Sequence, residues 1–321
     1  MRASLQKHPA VSAYLFKTLE TILISGGNGY VGRHLCRKLK EKGYRVTVLS
    51  RATKQVSEFH HYFWDSDKNE IEKEAIETAD YIIHLAGANI GDKRWTSKRK
   101  QLILYSRVKT SQLIFNKVKE NKSKLKAFIS ASAIGYYGTI TANEIFSETD
   151  EASHDFLGET CRQWEESADR FQKSGIRTVK IRTAVVLTKH GGVLAKMLTP
   201  VKLGIGAAIG TGQQYLPWIH IDDLCGIYIK AIVDIGMNGA YNAVAPDHKT
   251  NREFIKTLAL VLKKPFWFPN VPEILMKILF GKMSEMLLKG SRVSSDKIKA
   301  AGYSFLFPQL EEALIDLTQY K

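Results

Sequence analysis

The run Thr21-Ile22-Leu23-Ile24-Ser25 stops abruptly at Gly26-Gly27-Asn28-Gly29-Tyr30-Val31-Gly32, and few folds accommodate that junction. The branched apolar residues suit a buried strand. Beyond the glycines, Val31, Leu35 and Leu39 recur at helical spacing. Strand, tight turn and helix in this order make a phosphate cradle. Gly26 permits the sharp turn, Gly29 lets the backbone approach a pyrophosphate, and Gly32 lets the helix pack closely on the strand. The helix N-terminus then offers free N–H groups and the positive end of its dipole. A second strand, Arg45-Val46-Thr47-Val48-Leu49, follows Gly43 and completes the βαβ unit that gives the glycine pattern its meaning. A dinucleotide is the expected ligand; a glycine-rich turn that binds nothing is the bland alternative.

A chain of 321 residues suits one large α/β domain or two smaller ones. Its 44% hydrophobic and 25% charged residues are those of an ordinary globular protein. Cys36, Cys161 and Cys225 lie far apart, with no CxxC pair. That argues against a disulfide framework or a metal site and for a reducing, cytoplasmic setting. The net charge of +15 raises the question of nucleic acid, but Lys and Arg are spread along the chain without a binding motif. A basic surface around an anionic cofactor site is the more economical reading. No apolar run is long enough to span a membrane, and none is expected. Residues 1–20 read as an N-terminal extension without a signal-peptide core.

The end of the second strand bears on the ligand. Folds that prefer NAD usually place an acid there to accept from the ribose hydroxyls. Here the chain reads Leu49-Ser50-Arg51, then Thr53 and Lys54. These are donors and cations suited to a 2′-phosphate, so NADP is expected, with NAD as the alternative. His60 to Trp64 reads as a third strand ending at Asp65, which either meets the adenine amino group or serves a turn. Asn69 to Thr78 reads as an acidic helix capped by Asn69. The fourth strand, Tyr81 to Leu85, ends in the small residues Ala86-Gly87-Ala88, which leave room for ribose and pyrophosphate. His84, inside that strand, is expected to be packed and hydrogen-bonded. A long helix follows from Thr96 to about Asn121, with Leu102, Val108, Leu113, Ile114 and Val118 toward the core. The fifth strand, from Ala127, runs into Ser130-Ala131-Ser132-Ala133-Ile134-Gly135-Tyr136-Tyr137-Gly138, a hydroxyl cluster where open α/β sheets build their sites. A second long helix spans about Asp155 to Ser174, with Arg162 and Glu165 expected on its surface. A sixth strand from Arg177 opens onto Arg182. Asp222 or Asp223 is expected to cap a helix after Trp218-Ile219-His220, and a last strand lies near residues 240–244.

Four segments in order, GGNGYVG, YIIHLAG, SASAIGYYG and WIHIDDL, resemble the signatures of the extended short-chain dehydrogenase/reductases, the NAD-dependent epimerase/dehydratase family. Further segments are similar to an atypical subgroup of predicted nucleoside-diphosphate-sugar epimerases: GDKRWT at 91–96, SRVKTS at 106–111, CRQWE at 161–165 and LLKGSRVSSDKIKAAGY at 287–303. The resemblance covers residues 21 to about 317. It implies an α/β fold: a Rossmann-type doubly wound parallel sheet over 21–186, joined by the later strand near 240–244. A smaller, mostly helical substrate lobe over 187–321 would include a C-terminal domain from about 250. By position, Gly26, Gly27, Asn28, Gly29, Tyr30, Val31 and Gly32 would line the pyrophosphate. Ser50 and Arg51 would take the 2′-phosphate side, Asp65 adenine, and Leu85, Ala86 and Gly87 the ribose. Ser130 and Arg182 join the cofactor set, and Ser132 would match the catalytic serine, with Ser130 as a competitor.

The family's chemistry also needs a tyrosine and a lysine one helical turn apart, the lysine easing the phenol's proton exchange. Counting back from Glu165, those positions hold Leu157 and Cys161, and neither side chain can do the work. The only YxxxK, Tyr105 to Lys109, precedes the serine strand and is read as coincidence, although Arg107 and Lys109 could reach a ligand. Tyr136 or Tyr137 is therefore the leading proton donor, ahead of Glu159 and His154. Arg94, Trp95, Tyr215, Trp218 and Arg292 are expected around an anionic or sugar-like small-molecule substrate. The expected activity is an NADP-dependent oxidoreductase or epimerase; a redox-silent NADP-binding protein is the alternative. A homodimer through the two long helices is expected by analogy with the fold.

Overall fold

β1 (Thr21–Ser25) is buried along its whole length, as a strand covered on both faces must be. The computed structural model describes residues 19–51, 58–141, 144–189 and 191–319 and sets β1 inside an eight-stranded sheet. Thr53, Lys54 and the extension through residue 18 lie outside the described residues. From β1, α1 (Tyr30–Glu41) leads to β2 (Arg45–Ser50), and β3 (His60–Asp65) pairs beyond β2. After the two-residue β4 (Glu70–Ile71) and the short α2 (Lys73–Glu77), β5 (Tyr81–His84) pairs on the other side of β1. α3 (Ser97–Glu120), β6 (Ala127–Ala133), a 3-10 turn (Ile134–Tyr137), β7 (Ile145–Phe146), α4 (Phe156–Lys173) and β8 (Arg177–Thr183) extend that side.

The strand order is β1 beside β2, β3 and β4 in one direction, and beside β5, β6, β8 and β11 (Gly239–Ala243) in the other. All pairings are parallel except that of β3 with β4. The order reverses between β1 and β5, which is where such sheets open a crevice for ligands. Strand alternation sorts the core. Ile22, Ile24, Ile83, Ile129 and Ile181 meet α1 and, among others, Leu224 and Tyr228. Leu23, Ile82 and Phe128 meet Leu113 and Ile114 of α3 and Phe171 of α4.

Between β8 and β11 the chain forms β9 (Val185–Leu187), α5 (Gly192–Lys202), β10 (Trp218–His220) and α6 (Ile221–Val233). After β11 come α7 (Asn251–Val261), α8 (Glu273–Phe280), α9 (Glu285–Leu288), β12 (Arg292–Val293), α10 (Asp296–Ala300) and α11 (Leu310–Gln319). This lobe has its own core around Trp218, Phe254, Leu258 and Leu314. It is tied to the first lobe by β12, which pairs with β7 in a separate two-stranded sheet, and by α6, which packs on the sheet. No helix among the described residues is long and apolar enough to cross a membrane.

Several local expectations fail for identifiable reasons. Asn69 caps no helix: it adopts φ +62° in the turn before β4, and the helix begins only at Lys73. Leu102 is 50% exposed, because α3 turns Ile103 inward instead. The cap of α6 is His220, whose Nδ1 accepts from the Asp222 N–H at 3.1 Å. Asp222 turns outward to His34 and Lys38 of α1, at 2.6 and 3.1 Å. Asp223 is fully buried and accepts from Tyr303 Oη and the N–H groups of Leu306 and Phe307, at 3.0, 2.7 and 3.0 Å. That carboxylate fastens the C-terminal segment to α6. Asp223→Ala is expected to lower stability by roughly 3 kcal/mol, since three donors lose a charged acceptor; urea denaturation measures it.

His84 is wholly buried between Ser25 Oγ at 2.6 Å and Thr110 Oγ1 at 3.2 Å. Burial is the main cause that lowers its pKa to about 4. The unfolded chain therefore binds more protons than the folded one between about pH 6.5 and pH 4. Stability is expected to fall across that window as pH drops, by up to roughly 3 kcal/mol from this residue. His84→Gln should flatten the slope in a pH series of melting curves.

Candidate active site

The glycine turn is closed by backbone contacts that exclude side chains. Gly26 has φ +78°, and a Cβ there would lie 2.8 Å from the Ala86 nitrogen. A Cβ on Gly32 would lie 2.3 Å from the Gly26 oxygen. The Gly29 N–H donates to that oxygen at 3.0 Å. α1 then starts with no side-chain cap and no acid in its first turn. Its leading N–H groups have no partner within the helix, and Asn28 and Gly29 leave them accessible. Such an end is chemically suited to a phosphate. Tyr30 and Val31 form the rim; Tyr30 is 58% exposed, with its ring against Gly191.

On one side of this turn, Ser50 is buried at the end of β2 and Arg51 is exposed. Asp65 serves its turn: Oδ1 accepts from the N–H groups of Asp67 and Lys68 at 2.8 and 3.3 Å. On the other side, Leu85, Ala86 and Gly87 continue from β5 directly against Gly26. The two sides are what a dinucleotide lying across the switch point would meet.

Beyond Gly87 lies a buried polar network that the sequence did not announce. Glu165 was expected at the surface, but its residue is only 5% exposed. Arg182 grips it in bidentate fashion, Nε to Oε1 at 2.8 Å and Nη2 to Oε2 at 3.0 Å. Ser132 Oγ donates to the same Oε1 at 2.7 Å. Arg182 Nη1 donates to Tyr137 Oη at 3.0 Å, and Tyr137 Oη donates to Asn242 Oδ1 at 2.7 Å. The Arg182 guanidinium also lies 3.5 Å from the centroid of the Tyr136 ring. β6, α4, β8 and β11 each contribute one member, and the 3-10 turn contributes both tyrosines. One signal was available: Leu157, Cys161 and Glu165 share a helical stripe, and a carboxylate in an otherwise apolar stripe needs a cation.

This network revises the roles expected of its members. Arg182 is buried and committed to Glu165, so it has no guanidinium edge left for a cofactor. Tyr137 is 3% exposed, and burial pushes its phenol up to about 12, which makes it a fixed donor rather than a proton exchanger. Ser132 is buried with its proton directed at Glu165. Ser130 is buried too, its Oγ donating to the Ala131 carbonyl at 2.9 Å. Tyr136 differs: it is half-buried, and its hydroxyl makes no hydrogen bond among the described residues.

Other expectations also change. Glu159 is a poor acid, because its bonds to Arg162 and Gln163 lower its carboxyl to about 2. His154 is exposed at the start of α4. Trp218 presents no surface to a substrate: it is 0% exposed in the second lobe's core, with Nε1 bonded to the Asp247 carbonyl at 2.9 Å. Leu157 and Cys161 pack beneath Gly135 of the 3-10 turn, so the places of the expected tyrosine and lysine are filled by inert side chains. Tyr105 is 57% exposed and Lys109 pairs with Asp67, away from this cluster.

The remaining candidates fall into two groups. Arg94 Nε donates to the Leu279 carbonyl at 2.8 Å, and its Nη2 to that of Ile278, joining the loop after β5 to α8. Beside it, Trp95 bonds the Ile90 carbonyl and meets Phe156 edge-on at 5.0 Å. Tyr215 and Arg292 stack at 5.3 Å where β12 joins β7. Among the described residues no cluster of His, Cys, Asp and Glu could hold a metal ion.

Comparison with known proteins agrees with this architecture. Residues 22–243 match the model of the NAD dependent epimerase/dehydratase family, and residues 271–317 match a domain of unknown function, DUF1731. The epimerase family protein YfhF of Bacillus subtilis is 35% identical over 92% of this chain and 97% of its own length. The human epimerase family protein SDR39U1 is 32% identical over 92% and 99%. A crystal structure of that human protein with NADPH superposes with a TM-score of 0.85 at 31% identity, covering 93% of this chain and 99% of the other. The chain therefore belongs to the NAD dependent epimerase/dehydratase family, in its form with a DUF1731 domain near the C-terminus.

Proposed function

We propose that the chain is an NADP(H)-dependent oxidoreductase or epimerase acting on a carbinol or carbonyl of a small, sugar-nucleotide-like metabolite. The observation that carries the reading is the uncapped α1 N-terminus behind side-chain-free glycines, next to a β2 that ends in Ser50-Arg51 with no acid. Gly26 to Gly32 would hold the pyrophosphate through backbone N–H groups. Ser50 and Arg51 would take the adenosine 2′-phosphate, with Asp65 near adenine and Leu85, Ala86 and Gly87 along the ribose. The NADPH bound by the 31% identical human relative supports the same choice. When bound, the nicotinamide supplies hydride transfer.

The chain's own contribution is to position the substrate oxygen and move its proton. Tyr136 is the proton carrier in this reading: it is reachable, its hydroxyl is uncommitted, and Arg182 sets positive charge on its ring. A cation beside a phenol that is surrendering a proton stabilises the charge that develops in the transition state. Ser132, with its proton held by Glu165, would turn oxygen lone pairs toward donors on the substrate. Arg94 and Trp95, and Tyr215 with Arg292, are the side chains available to an anionic or sugar-like substituent. A redox-silent NADP-binding protein is the second reading, favoured by the inert pair Leu157 and Cys161.

Calorimetry should find NADPH bound at least tenfold more tightly than NADH, with Arg51→Ala removing most of the difference, as expected for about one charge-assisted contact. Equal affinities in the unaltered protein would remove the NADP assignment. In a screen of NADPH oxidation against carbonyl compounds, Tyr136→Phe should lower turnover by about 10²–10⁴ while leaving NADPH affinity unchanged. Tyr137→Phe should lower the melting temperature and spare most of the turnover. Tight NADPH binding without turnover by any carbonyl in the screen would favour the redox-silent protein.

A further inference from the structure

Arg107 is the cation of this crevice that nothing described so far employs. It projects from α3 toward the end of β5, where its Nη1 donates to the carbonyls of Ala88 and Ile103 at 3.0 and 2.8 Å. A Cβ built on Gly87 would come within 3.0 Å of its guanidinium carbon, so the guanidinium fills the space that a side chain at residue 87 would take. Its other flank faces α4, with the same carbon 4.9 Å from the Trp164 ring centroid. No carboxylate pairs with it among the described residues, and Nε and Nη2 make no hydrogen bond there. Two further donors at this place, Arg99 Nε and Trp164 Nε1, are buried without partners among the described residues.

A guanidinium taken from water without a counter-charge is unfavourable unless a ligand completes it. Burial, and to a lesser degree the like charge of Arg99, hold its pKa below the usual arginine value. The charge also acts on the Cys161 thiol, across the contact between α3 and α4. Cys161 stands where the family pattern has its lysine. The sheet order indicates which half of a bound dinucleotide would meet this charge. From the α1 N-terminus, the 2′-phosphate side leads to β2 and β3. The nicotinamide half therefore leads the other way, over β5 and β6, past Gly87 to Tyr136.

We propose that Arg107 supplies from α3 the cation that Cys161 cannot, binding the nicotinamide half of the cofactor and biasing the site toward its reduced form. The bias is electrostatic. The oxidised nicotinamide ring carries a positive charge that the reduced ring lacks, and a fixed guanidinium in a poorly solvated crevice opposes it. Arg107 is thus a cofactor-binding residue that also tunes which redox state is retained. The inference rests on the NADP(H) reading.

The test is equilibrium binding of NADPH, NADP+ and adenosine 2′,5′-bisphosphate to the full chain and to Arg107→Gln and Arg107→Lys. The unaltered protein should prefer NADPH to NADP+. Arg107→Gln should weaken NADPH about tenfold, shrink the NADPH preference, and leave the bisphosphate affinity and melting temperature unchanged. Arg107→Lys should keep the preference. Arg107→Gln with an unchanged NADPH-to-NADP+ ratio would overturn the proposal. So would equal weakening of all three ligands, which is what a merely structural role predicts. Failure of the unaltered protein to bind either dinucleotide would instead overturn the cofactor reading.

Discussion

The buried Glu165–Arg182 pair holds together the carboxyl ends of the central strands. Its two charges sit where helix α4 crosses β6 and β8, and each spare hydrogen-bonding position is taken by a neighbour: Ser132, Tyr137 and, through Tyr137, Asn242 of β11. A buried ion pair contributes little net stability, because desolvation offsets most of the attraction. What this pair contributes is geometry. Breaking either partner would strand a charge in the core, so the register of α4 against the sheet is tightly constrained. With that register fixed, Arg182 lies on the ring of the half-buried Tyr136.

The sheet was legible in the sequence for a plain reason. β1 and β5 are covered on both faces, so they appear as unbroken apolar runs, and a glycine cluster marks where β1 must stop. Gly26 and Gly32 could be assigned tasks because backbone approach leaves a residue no alternative identity. Chemistry carried by side chains was far less legible. Glu165 reads as one more acid on a helix; only its place on the apolar stripe of Leu157 and Cys161 hints at burial, and its cation in β8 is distant in the chain. Trp218 reads as a ring for stacking on a sugar, yet the second lobe needed a large residue at its centre. Short-range rules also misled where a tertiary partner intervened. The acids after His220 look like helix caps, but α1 and the C-terminal segment claim them.

The second lobe joins the sheet through a shared apolar core, in which Leu224, Ile227 and Tyr228 of α6 and Val293 of β12 pack with Ile24, Ile129 and Ile181, and through a few directional contacts. β12 adds to β7, and Arg94 reaches the carbonyls that end α8; within the lobe, Asp223 gathers the segment before α11.

The division between backbone and side chain explains why the missing tyrosine and lysine need not abolish chemistry. The phosphate cradle is made of backbone, and backbone has no substitute; the turn is either built or absent. A proton carrier and a nearby cation are side chains, and any element that reaches the same volume can provide them. Here Leu157 and Cys161 have become packing beneath Gly135. The 3-10 turn above them carries the Tyr136 phenol, whose ring lies on the Arg182 guanidinium, and α3 carries the Arg107 guanidinium. An arginine is a fixed charge across the whole working pH range, whereas a lysine's charge can be lost on burial. A site that used an arginine in place of one lysine would gain permanence of charge and lose a proton relay. Under the proposed role of Arg107, such a site would be better fitted to retaining a reduced cofactor than to rapid exchange of protons with solvent.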